Sequence, residues 1–205
     1  MSQISNIENK INQIRNSEIK ITNEFPSKDD FSKNYYRKCW VSCLFVDIVK
    51  YTEICKSSED EKIGQMIRTF HEGILPIMKY SKLKHIQIQG DGIFGILPYK
   101  NSNDIFTCAK EIEKFLSCIW KEAGFRISIA SGEELMIVVG DNNGVESREV
   151  VFAGGVVNKA KNQMKDAKEN CILIDQVFKE KNKNINYDSC IRQVVFVNED
   201  DGFDY

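Results

Sequence analysis

Neither sign of charge is in excess in this sequence of 205 residues. Its 28 lysine and arginine residues nearly balance its 30 aspartate and glutamate residues, and the formal net charge is −2. A chain without a basic field has little electrostatic attraction for the phosphates of nucleic acid or for an anionic membrane surface. We therefore expect neither nucleic acid nor membrane among its partners.

Long hydrophobic runs and paired cysteine motifs are also missing. No apolar stretch reaches the roughly 20 residues that a transmembrane helix needs, and we expect no secretory leader. The seven cysteines show no C-x-x-C spacing, and most lie in apolar runs, where a free thiol behaves as a small hydrophobic side chain. An odd number of cysteines without a leader indicates a reducing interior, so we predict a cytoplasmic protein.

Two apolar stretches, each interrupted by an acidic residue, are the most informative part of what is present. Residues 43–52, CLFVDIVKYT, surround Asp47, and residues 85–98, HIQIQGDGIFGILP, place Asp91 in a Gly-Asp-Gly turn between two strand-like runs. A carboxylate beside a buried strand costs free energy unless it is paired, hydrogen-bonded or bound to a metal. Taken alone, Asp91 could be an ordinary turn residue and Asp47 a helix cap.

Strand-like and helix-like segments alternate along most of the chain. We predict strands over 39–48, 85–98 (a hairpin), 125–130, 135–139, 148–152, 171–174 and 190–197, and helices over 59–79, 101–121, 154–167 and 175–181. Gly132 predicts a turn between two of these strands, and Pro76 should bend or end the first of these helices. This succession predicts an α/β (α+β) sandwich with a ferredoxin-like β-α-β-β-α-β core.

The N-terminal part of the chain is polar and predicts a separate helical extension. We assign residues 1–35 to this extension, 36–200 to the main domain and 201–205 to an acidic tail. Isoleucines recur at the helical spacing of three or four residues: Ile4, Ile7, Ile11, Ile14 and Ile21. Such an amphipathic helix could pack on its own domain or contribute to a dimer contact.

Four segments of the chain resemble ordered motifs of the class III nucleotidyl cyclases, the adenylate and guanylate cyclases. FVDIVKYT is similar to F-x-D-I-x-G-F-T, and QGDGIFGILP is similar to a G-D-x-x-F hairpin. FRISIASGEELMIVVG resembles R-x-G-I-x-x-G followed by a second glycine, and VVFAGGVVNKA resembles G-x-x-V-N-x-A. The four matches follow one another in the family order and cover most of the chain. Together they are more specific than any one short motif.

The resemblance implies attack of a ribose 3′ oxygen on the α-phosphorus of a nucleoside triphosphate, with pyrophosphate leaving. In such chemistry the protein mainly positions reactants and stabilises negative charge. The resemblance further implies two Mg²⁺ or Mn²⁺ ions bridged by Asp47 and Asp91, with the backbone carbonyl of Ile48 as a further ligand. The turn that ends at Thr52 would offer N–H groups to the triphosphate. Arg126 falls on a phosphate-contacting arginine, although alone it could be a surface residue.

The family resemblance also implies a homodimer with two equivalent sites, each of which takes its metal aspartates from one subunit and its ribose and transition-state residues from the other. Asn158 matches an asparagine that orients the ribose. One helical turn later, Asn162 occupies the position of an arginine that stabilises the transition state, and losing such a charge typically lowers the rate by about 10²–10³. Lys161 and Lys165 lie nearest that face of the helix. We take Lys161 as the replacement, while a solvated lysine face stays an open alternative.

The positions that read the base depart from the family. Gln87 stands where adenylate and guanylate cyclases have Lys or Glu, and Val151 stands where they have Asp, Cys or a small polar residue. Since a valine cannot hydrogen-bond a base edge, neither purine code is present. Tyr51, where the family often has Phe, could fill the space of a purine and leave room for a pyrimidine. A tyrosine packed in the core is the other interpretation.

Short class III cyclases with a helical extension and altered base-reading residues resemble the pyrimidine cyclases of Pycsar anti-phage systems. That resemblance implies UTP or CTP as substrate, cyclic UMP or cyclic CMP as product, and a separate effector that responds to the product. We favour UTP. Two alternatives stay open: the same chemistry on ATP or GTP with an unconventional base pocket, and a catalytically silent cyclase-like module. Retention of both aspartates argues against the silent module.

Overall fold

A computed structural model describes residues 3–16, 20–25, 35–139, 149–165, 169–190 and 193–197. The chain divides into two compact units, a smaller one of residues 1–39 and 135–153 and a larger one of residues 40–134 and 154–205. The described helices are α1 (Gln3–Asn16), α2 (Tyr51–Ser57), α3 (Asp60–Tyr80), α4 (Ser102–Cys118), α5 (Val156–Asn162) and α6 (Gln176–Lys181). The described strands are β1 (Lys20–Thr22), β2 (Tyr35–Ile48), β3 (Lys84–Gln89), β4 (Gly92–Pro98), β5 (Phe125–Val139), β6 (Glu149–Phe152), β7 (Cys171–Asp175) and β8 (Val194–Val197).

The sheet of the larger unit has the strand order β3-β4-β2-β5-β7-β8. Strand β4 pairs antiparallel with both β3 and β2, whereas β7 pairs parallel with β5 and β8. Helix α3 connects β2 to β3, and α4 connects β4 to β5. This connectivity with the order β3-β4-β2-β5 is the ferredoxin-like β-α-β-β-α-β arrangement, so the predicted fold is confirmed.

Helices α3 and α4 and one side of the sheet form the main hydrophobic cluster. The buried residues of this cluster recur at helical spacing on both helices: Met66, Phe70, Ile74 and Met78 on α3, and Ile105, Ala109, Ile112 and Leu116 on α4. On β2 the members of the cluster are Leu44, Val46 and Ile48. Because successive residues of a strand point to opposite faces, Phe45 and Asp47 lie on the other face of β2.

Gly132 was predicted to mark a turn between two strands, and this prediction is wrong. Strand β5 runs without interruption from Phe125 to Val139. A Cβ atom on Gly132 would lie 3.1 Å from the side chain of Val156, which is tighter than ordinary van der Waals contact. The glycine therefore permits a close approach within an extended strand.

Other boundaries differ more modestly from the prediction. Helix α3 passes through Pro76 to Tyr80, because burial of the apolar face outweighs a local cost of about 3 kcal/mol for an interior proline. Helix α2 was not predicted, and β2 begins at Tyr35 rather than at residue 39. Helix α5 ends at Asn162, before the predicted end at 167. The acidic tail 201–205 lies outside the described residues.

The smaller unit contains α1 and two short strand pairings. Strand β1 pairs in parallel with the start of β2, and β6 pairs antiparallel with the end of β5. Arg37 on β2 donates a 3.0 Å hydrogen bond to the hydroxyl of Thr22 on β1. The helix predicted at the N-terminus ends at Asn16, so Ile21 belongs to a strand instead. The isoleucines of α1 are 42–68% exposed: Ile4, Ile7, Ile11 and Ile14.

Thiol burial follows the expectation for small hydrophobic side chains. All seven cysteines are free, and Cys39, Cys43, Cys108 and Cys171 are buried. Burial raises the pKa of Cys43 well above its usual range and the pKa of Cys108 to about 11, so both thiols stay protonated at neutral pH. Among the helices of the described ranges, none combines the length and apolar character that crossing a membrane requires.

Candidate active site

The side chains of Asp47 and Asp91 meet where β2 ends and the β3–β4 hairpin turns. Asp47 is the penultimate residue of β2, and Asp91 lies in the loop between β3 and β4. Both are half-buried, and a hydrogen bond joins their carboxyl groups. The antiparallel pairing of Val46 with Ile93 brings these two ends of the strands side by side. The structure thus joins two acidic residues that the sequence places far apart.

The local structure favours glycine at both ends of the Gly-Asp-Gly motif. Gln89 pairs with Gly92, so Gly90 and Asp91 are the two loop residues. Gly90 has φ 64°, a left-handed conformation that favours glycine at the first central position of a hairpin turn. A Cβ on Gly92 would lie 2.7 Å from a ring carbon of Phe45 and 3.2 Å from the carbonyl oxygen of Val46. Each glycine therefore helps to bring Asp91 alongside β2.

Burial, together with the neighbouring carboxyl group of Asp91, raises the pKa of Asp47 to about 7. Burial is the largest cause, followed by the hydrogen bond and the negative charge of Asp91. Arg126 acts in the opposite direction, because its positive charge favours the ionised form of Asp47. Two like charges in contact share a proton near neutral pH unless a cation neutralises them. This carboxylate pair has the oxygen donors that Mg²⁺ and Mn²⁺ prefer.

The described residues fit a metal site that the protein completes only in part. No group of three or more His, Cys, Asp and Glu side chains converges among them. Mg²⁺ is usually held by one or two carboxylates together with substrate phosphates and water, which is the arrangement that Asp47 and Asp91 permit. The side chain of Ile48 is buried and its residue ends β2, so only its backbone carbonyl could serve as a ligand.

The turn after β2 contains a departure from the family motif that sequence analysis missed. The Val49 N–H donates to the carbonyl of Gly124 at 2.9 Å, which fixes the start of the turn. Lys50 follows with φ 56° and stands at the glycine of F-x-D-I-x-G-F-T. A left-handed conformation explains the family preference for glycine there. Thr52 is exposed in the first turn of α2.

Arg126 supplies positive charge to the aspartate pair from strand β5. Its charge acts on Asp47, and its Nη1 donates a hydrogen bond to the backbone carbonyl of Met164. Its Nε is buried and has no partner among the described residues. A half-buried guanidinium with remaining donors is suited to bind a phosphate oxygen.

Tyr51 lies close to the same aspartates. The hydrogen bond of its hydroxyl with the Cys55 thiol, together with burial and the charge of Asp91, raises the pKa of Tyr51. Its ring packs against the hydrophobic cluster. The ring therefore agrees with the interpretation of Tyr51 as a core residue. The hydroxyl, which lies near the carboxylates, agrees with a role at the substrate site.

The two predicted base-reading residues belong to different units. Gln87 is half-buried on β3 and pairs with Phe94 of β4 in the larger unit. Val151 is on β6 in the smaller unit, pairs with Ile137 and is 40% exposed. Their joint role in reading a base stays a prediction.

Helix α5 carries Asn158, and a buried carboxylate holds its start in place. Glu134 on β5 is 1% exposed. It accepts hydrogen bonds from the backbone N–H groups of Gly154 at 2.5 Å and Val157 at 3.1 Å. The residue immediately before Asn158 is thereby fixed to the sheet, while the Asn158 side chain is exposed.

A second buried carboxylate holds the residue after Asn158. The ammonium of Lys159 lies 3.1 Å from Asp175, whose side chain is fully buried. Asp175 also accepts hydrogen bonds from the backbone N–H groups of Ser131 at 3.1 Å and Phe178 at 2.8 Å. Sequence analysis overlooked Glu134 and Asp175. Both acids border an apolar run, whereas Asp47 lies inside one, so the signal was weaker for them.

The cation that could replace the missing arginine lies on the aspartate side of β2. The ammonium of Lys161 is 6.0 Å from the ring centroid of Phe45. Phe45 and Asp47 are two residues apart and face the same side of the strand. Asn162 is half-buried at the end of α5 and carries no charge. The structure therefore places a positive charge from α5 over the sheet face that bears Asp47.

Comparison with known proteins agrees with this geometry. A family model for the adenylate and guanylate cyclase catalytic domain matches residues 34–174. A uridylate cyclase from Treponema porcinum is 30% identical over 194 residues, which are 86% of this chain and 66% of the relative. A uridylate cyclase from Propioniciclava tarda is 23% identical over 159 residues, which are 72% of this chain and 52% of that relative.

A solved structure extends the likeness to the fold. The adenylyl cyclase CyaB from P. aeruginosa has a TM-score of 0.63 and 16% identity, with 73% of this chain and 83% of that chain covered. At this identity the match concerns the fold alone. The chain spans between half and two thirds of the length of the two uridylate cyclases.

Proposed function

This chain belongs to the adenylate and guanylate cyclase catalytic domain family, and we propose that it is a pyrimidine nucleotide cyclase. Its reaction converts UTP, or CTP as the second choice, to the 3′,5′-cyclic monophosphate and pyrophosphate. The contact between Asp47 and Asp91 is the observation that carries this proposal. The names of both uridylate cyclase relatives favour uridine over cytidine.

Asp47, Asp91 and the carbonyl of Ile48 would hold two Mg²⁺ or Mn²⁺ ions. When bound, such a pair activates the attacking 3′ hydroxyl and neutralises the triphosphate. The carboxylates exchange their shared proton for this positive charge, which removes the repulsion between them. Their position would fix where the α-phosphorus sits. The 3′ hydroxyl would then lose its proton to solvent water as the new bond from its oxygen to phosphorus forms and the bond to pyrophosphate breaks.

The remaining residues orient the substrate and stabilise charge. Arg126 binds a phosphate oxygen from the side of Asp47. The turn ending at Thr52 offers backbone N–H groups to the triphosphate. Asn158, held between two fixed neighbours, orients the ribose. Lys161 stabilises the charge that develops at the phosphorus, the task for which the family uses an arginine at the position of Asn162.

Selection of the base is assigned to Tyr51, Gln87 and Val151. Neither purine code is present, because Gln87 and Val151 replace the residues that carry it. The ring and hydroxyl of Tyr51 together reduce the space for a base, and the hydroxyl is what the family's phenylalanine lacks, so this position favours a pyrimidine. Only a site that pairs its polar groups with one base discriminates strongly, so the carboxamide of Gln87 is the group proposed to separate uracil from cytosine.

The proposed enzyme is a cytoplasmic homodimer with sites shared between subunits. Its product would act as a messenger on a separate effector in anti-phage defence. The exposed isoleucines of α1 supply one surface for pairing two chains. The free state of the seven cysteines fits a reducing compartment.

One experiment separates this proposal from its alternatives. Purified protein is incubated with UTP, CTP, ATP or GTP plus Mn²⁺, and cyclic monophosphate and pyrophosphate are measured by mass spectrometry. Turnover of UTP or CTP alone supports the proposal. Turnover of ATP or GTP supports a purine cyclase with an unconventional pocket.

A silent nucleotide-binding module is the second candidate, favoured by the uncharged Asn162. Tight triphosphate binding without any turnover would support it. Asp47→Ala and Asp91→Ala serve as controls that should abolish product, with circular dichroism showing that both variants fold.

A further inference from the structure

His71 is a buried polar residue that the catalytic scheme above does not use. It lies on α3, is 7% exposed, and sits between residues of the apolar face of that helix. The rings of His71 and Phe70 pack edge to face, with centroids 5.4 Å apart and an interplanar angle of 75°. A buried imidazole costs free energy unless its polar atoms are hydrogen-bonded, so its partner is informative.

That partner is the backbone of the Gly-Asp-Gly turn. The Nε2 atom of His71 lies 3.0 Å from the carbonyl oxygen of Gly90. A carbonyl oxygen can only accept, so Nε2 carries the proton and donates it. The other ring nitrogen, Nδ1, is buried and has no partner among the described residues. The carbonyl of Gly90 is therefore the polar contact that ties the imidazole to the loop.

The peptide that carries this carbonyl joins Gly90 to Asp91, the two loop residues of the hairpin. Gly90 has φ 64° and Asp91 does not have a positive φ, which is the pattern of a type II′ turn. Rotation of the central peptide would give a type I′ turn, which requires a positive φ at Asp91 and which aspartate tolerates. The hydrogen bond from His71 to this carbonyl oxygen restrains the orientation of the peptide.

We propose that His71 is a positioning residue, which holds the Gly90–Asp91 peptide in place and thereby fixes the loop from which Asp91 reaches Asp47. Its effect on catalysis rests on the proposed function, whereas its effect on the turn does not. Rotation of this peptide alone leaves the Cα–Cβ bond of Asp91 nearly unchanged. The effect of His71 is therefore on the loop as a whole: without the hydrogen bond, the loop that carries Asp91 would no longer be fixed relative to Asp47. A residue that orients a metal ligand in this way typically changes metal affinity by about 10–100-fold when it is removed.

The test compares His71→Leu, which fills the space without a donor, with His71→Gln, whose amide can donate from a similar distance. Should His71→Leu fail to fold, His71→Asn replaces it, because its shorter amide does not reach the Gly90 carbonyl. Ile74→Val is the matched control, since Ile74 is fully buried one turn later on α3. It lowers stability without touching the turn.

Two measurements are made on each variant. Hydrogen exchange of the peptide spanning residues 86–96 is followed in metal-free protein. Mn²⁺ affinity is measured by electron paramagnetic resonance in the presence of 3′-deoxy-UTP, which lacks the attacking hydroxyl. We expect His71→Leu or His71→Asn to accelerate exchange at the turn and to weaken Mn²⁺ binding by about tenfold or more. His71→Gln should restore both, and Ile74→Val should change neither.

Wild-type exchange and Mn²⁺ affinity in the donor-free variants would overturn the inference, as would equal defects in His71→Gln or Ile74→Val. If His71→Leu accelerates exchange but the wild-type protein turns over no triphosphate, the inference about the turn stands and the proposed cyclase activity is refuted. Normal turnover with unchanged exchange in His71→Leu would refute the inference alone.

Discussion

The carboxyl groups of Asp47 and Asp91 share a hydrogen bond at the end of the central sheet. Because the pKa of Asp47 is raised to about 7, its carboxyl group is partly protonated near neutral pH in the metal-free protein. A divalent cation would replace that proton with a stronger neutralising charge. Acid–base behaviour, metal binding and catalysis are therefore linked through these two side chains.

The stability of the metal-free protein should depend on pH through Asp47. Its pKa is about 7 in the folded chain, against an ordinary value of 3.8. Because the folded chain binds this proton more tightly than the unfolded chain, protonation of Asp47 stabilises the folded state. This stabilisation is complete below the pKa of the unfolded chain and is lost as the pH rises towards about 7. We expect the melting temperature of wild type to fall over this range relative to that of Asp91→Asn, which lacks the like charge.

Differential scanning calorimetry of both proteins between pH 4 and 8 would measure this difference, because all titrating groups outside the Asp47–Asp91 pair are common to them. Parallel melting curves at every pH would show that Asp91 does not perturb Asp47. Adding Mn²⁺ should stabilise wild type most above pH 7, where the pair is fully ionised.

Removing the charge of Arg126 should weaken substrate binding. A hydrogen bond to a charged group contributes about 1.5–3 kcal/mol, so Arg126→Gln should raise KM for the triphosphate by about 10–100-fold. It should also raise the pKa of Asp47 further, because Arg126 favours the ionised carboxylate. Arg126→Lys should be intermediate in steady-state kinetics. An unchanged KM in Arg126→Gln would exclude a phosphate contact.

Lys161→Ala should lower kcat with little effect on KM, because its charge is proposed to act on the transition state. The expected loss is about 10²–10³. Lys161→Arg should retain much of the rate. Lys165→Ala is the matched control, since Lys165 is an exposed lysine just beyond the same helix. Equal losses in both alanine variants would indicate a general effect of surface charge.

Glu134→Leu should destabilise the protein, because it leaves the N–H groups of Gly154 and Val157 without their acceptor. Each unsatisfied buried group costs about 1–3 kcal/mol. Glu134→Gln keeps one acceptor oxygen and should lose less. The exposed neighbour Glu133 provides the control Glu133→Gln. Urea denaturation measures the free energies of unfolding, and equal stability of Glu134→Leu and wild type would contradict the assigned contact.

Tyr51→Ala should broaden the choice among the four triphosphates. Removing the ring enlarges the space available to a base, so turnover of ATP or GTP should rise relative to UTP. Tyr51→Phe removes only the hydroxyl and restores the residue that the family often has, so it should shift the preference in the same direction. Competition assays with mixed triphosphates measure these ratios directly. An unchanged preference in Tyr51→Ala would remove Tyr51 from base selection.

Much of the fold followed from the sequence because local patterns agreed with the tertiary structure. Alternating strands and amphipathic helices predicted the core, and the apolar runs around Asp47 and Asp91 placed both residues at strand ends. Their contact depends on the pairing of β2 with β4, which the family resemblance implied and the structure describes.

What the sequence did not yield depends on long-range contacts. The close approach of Val156 explains why Gly132 is extended, and no neighbour in sequence reveals it. The buried roles of Glu134 and Asp175 require partners that are distant along the chain. The left-handed conformation of Lys50 was likewise hidden, because lysine is not the residue that such a conformation favours.

Anomalous diffraction from crystals grown with Mn²⁺ and 3′-deoxy-UTP tests the central claim most directly. We expect two manganese peaks about 3.5–4 Å apart, both contacted by the carboxylates of Asp47 and Asp91, with the α-phosphate beside them. A triphosphate bound without manganese at these carboxylates, or manganese at another place in the chain, would contradict the account.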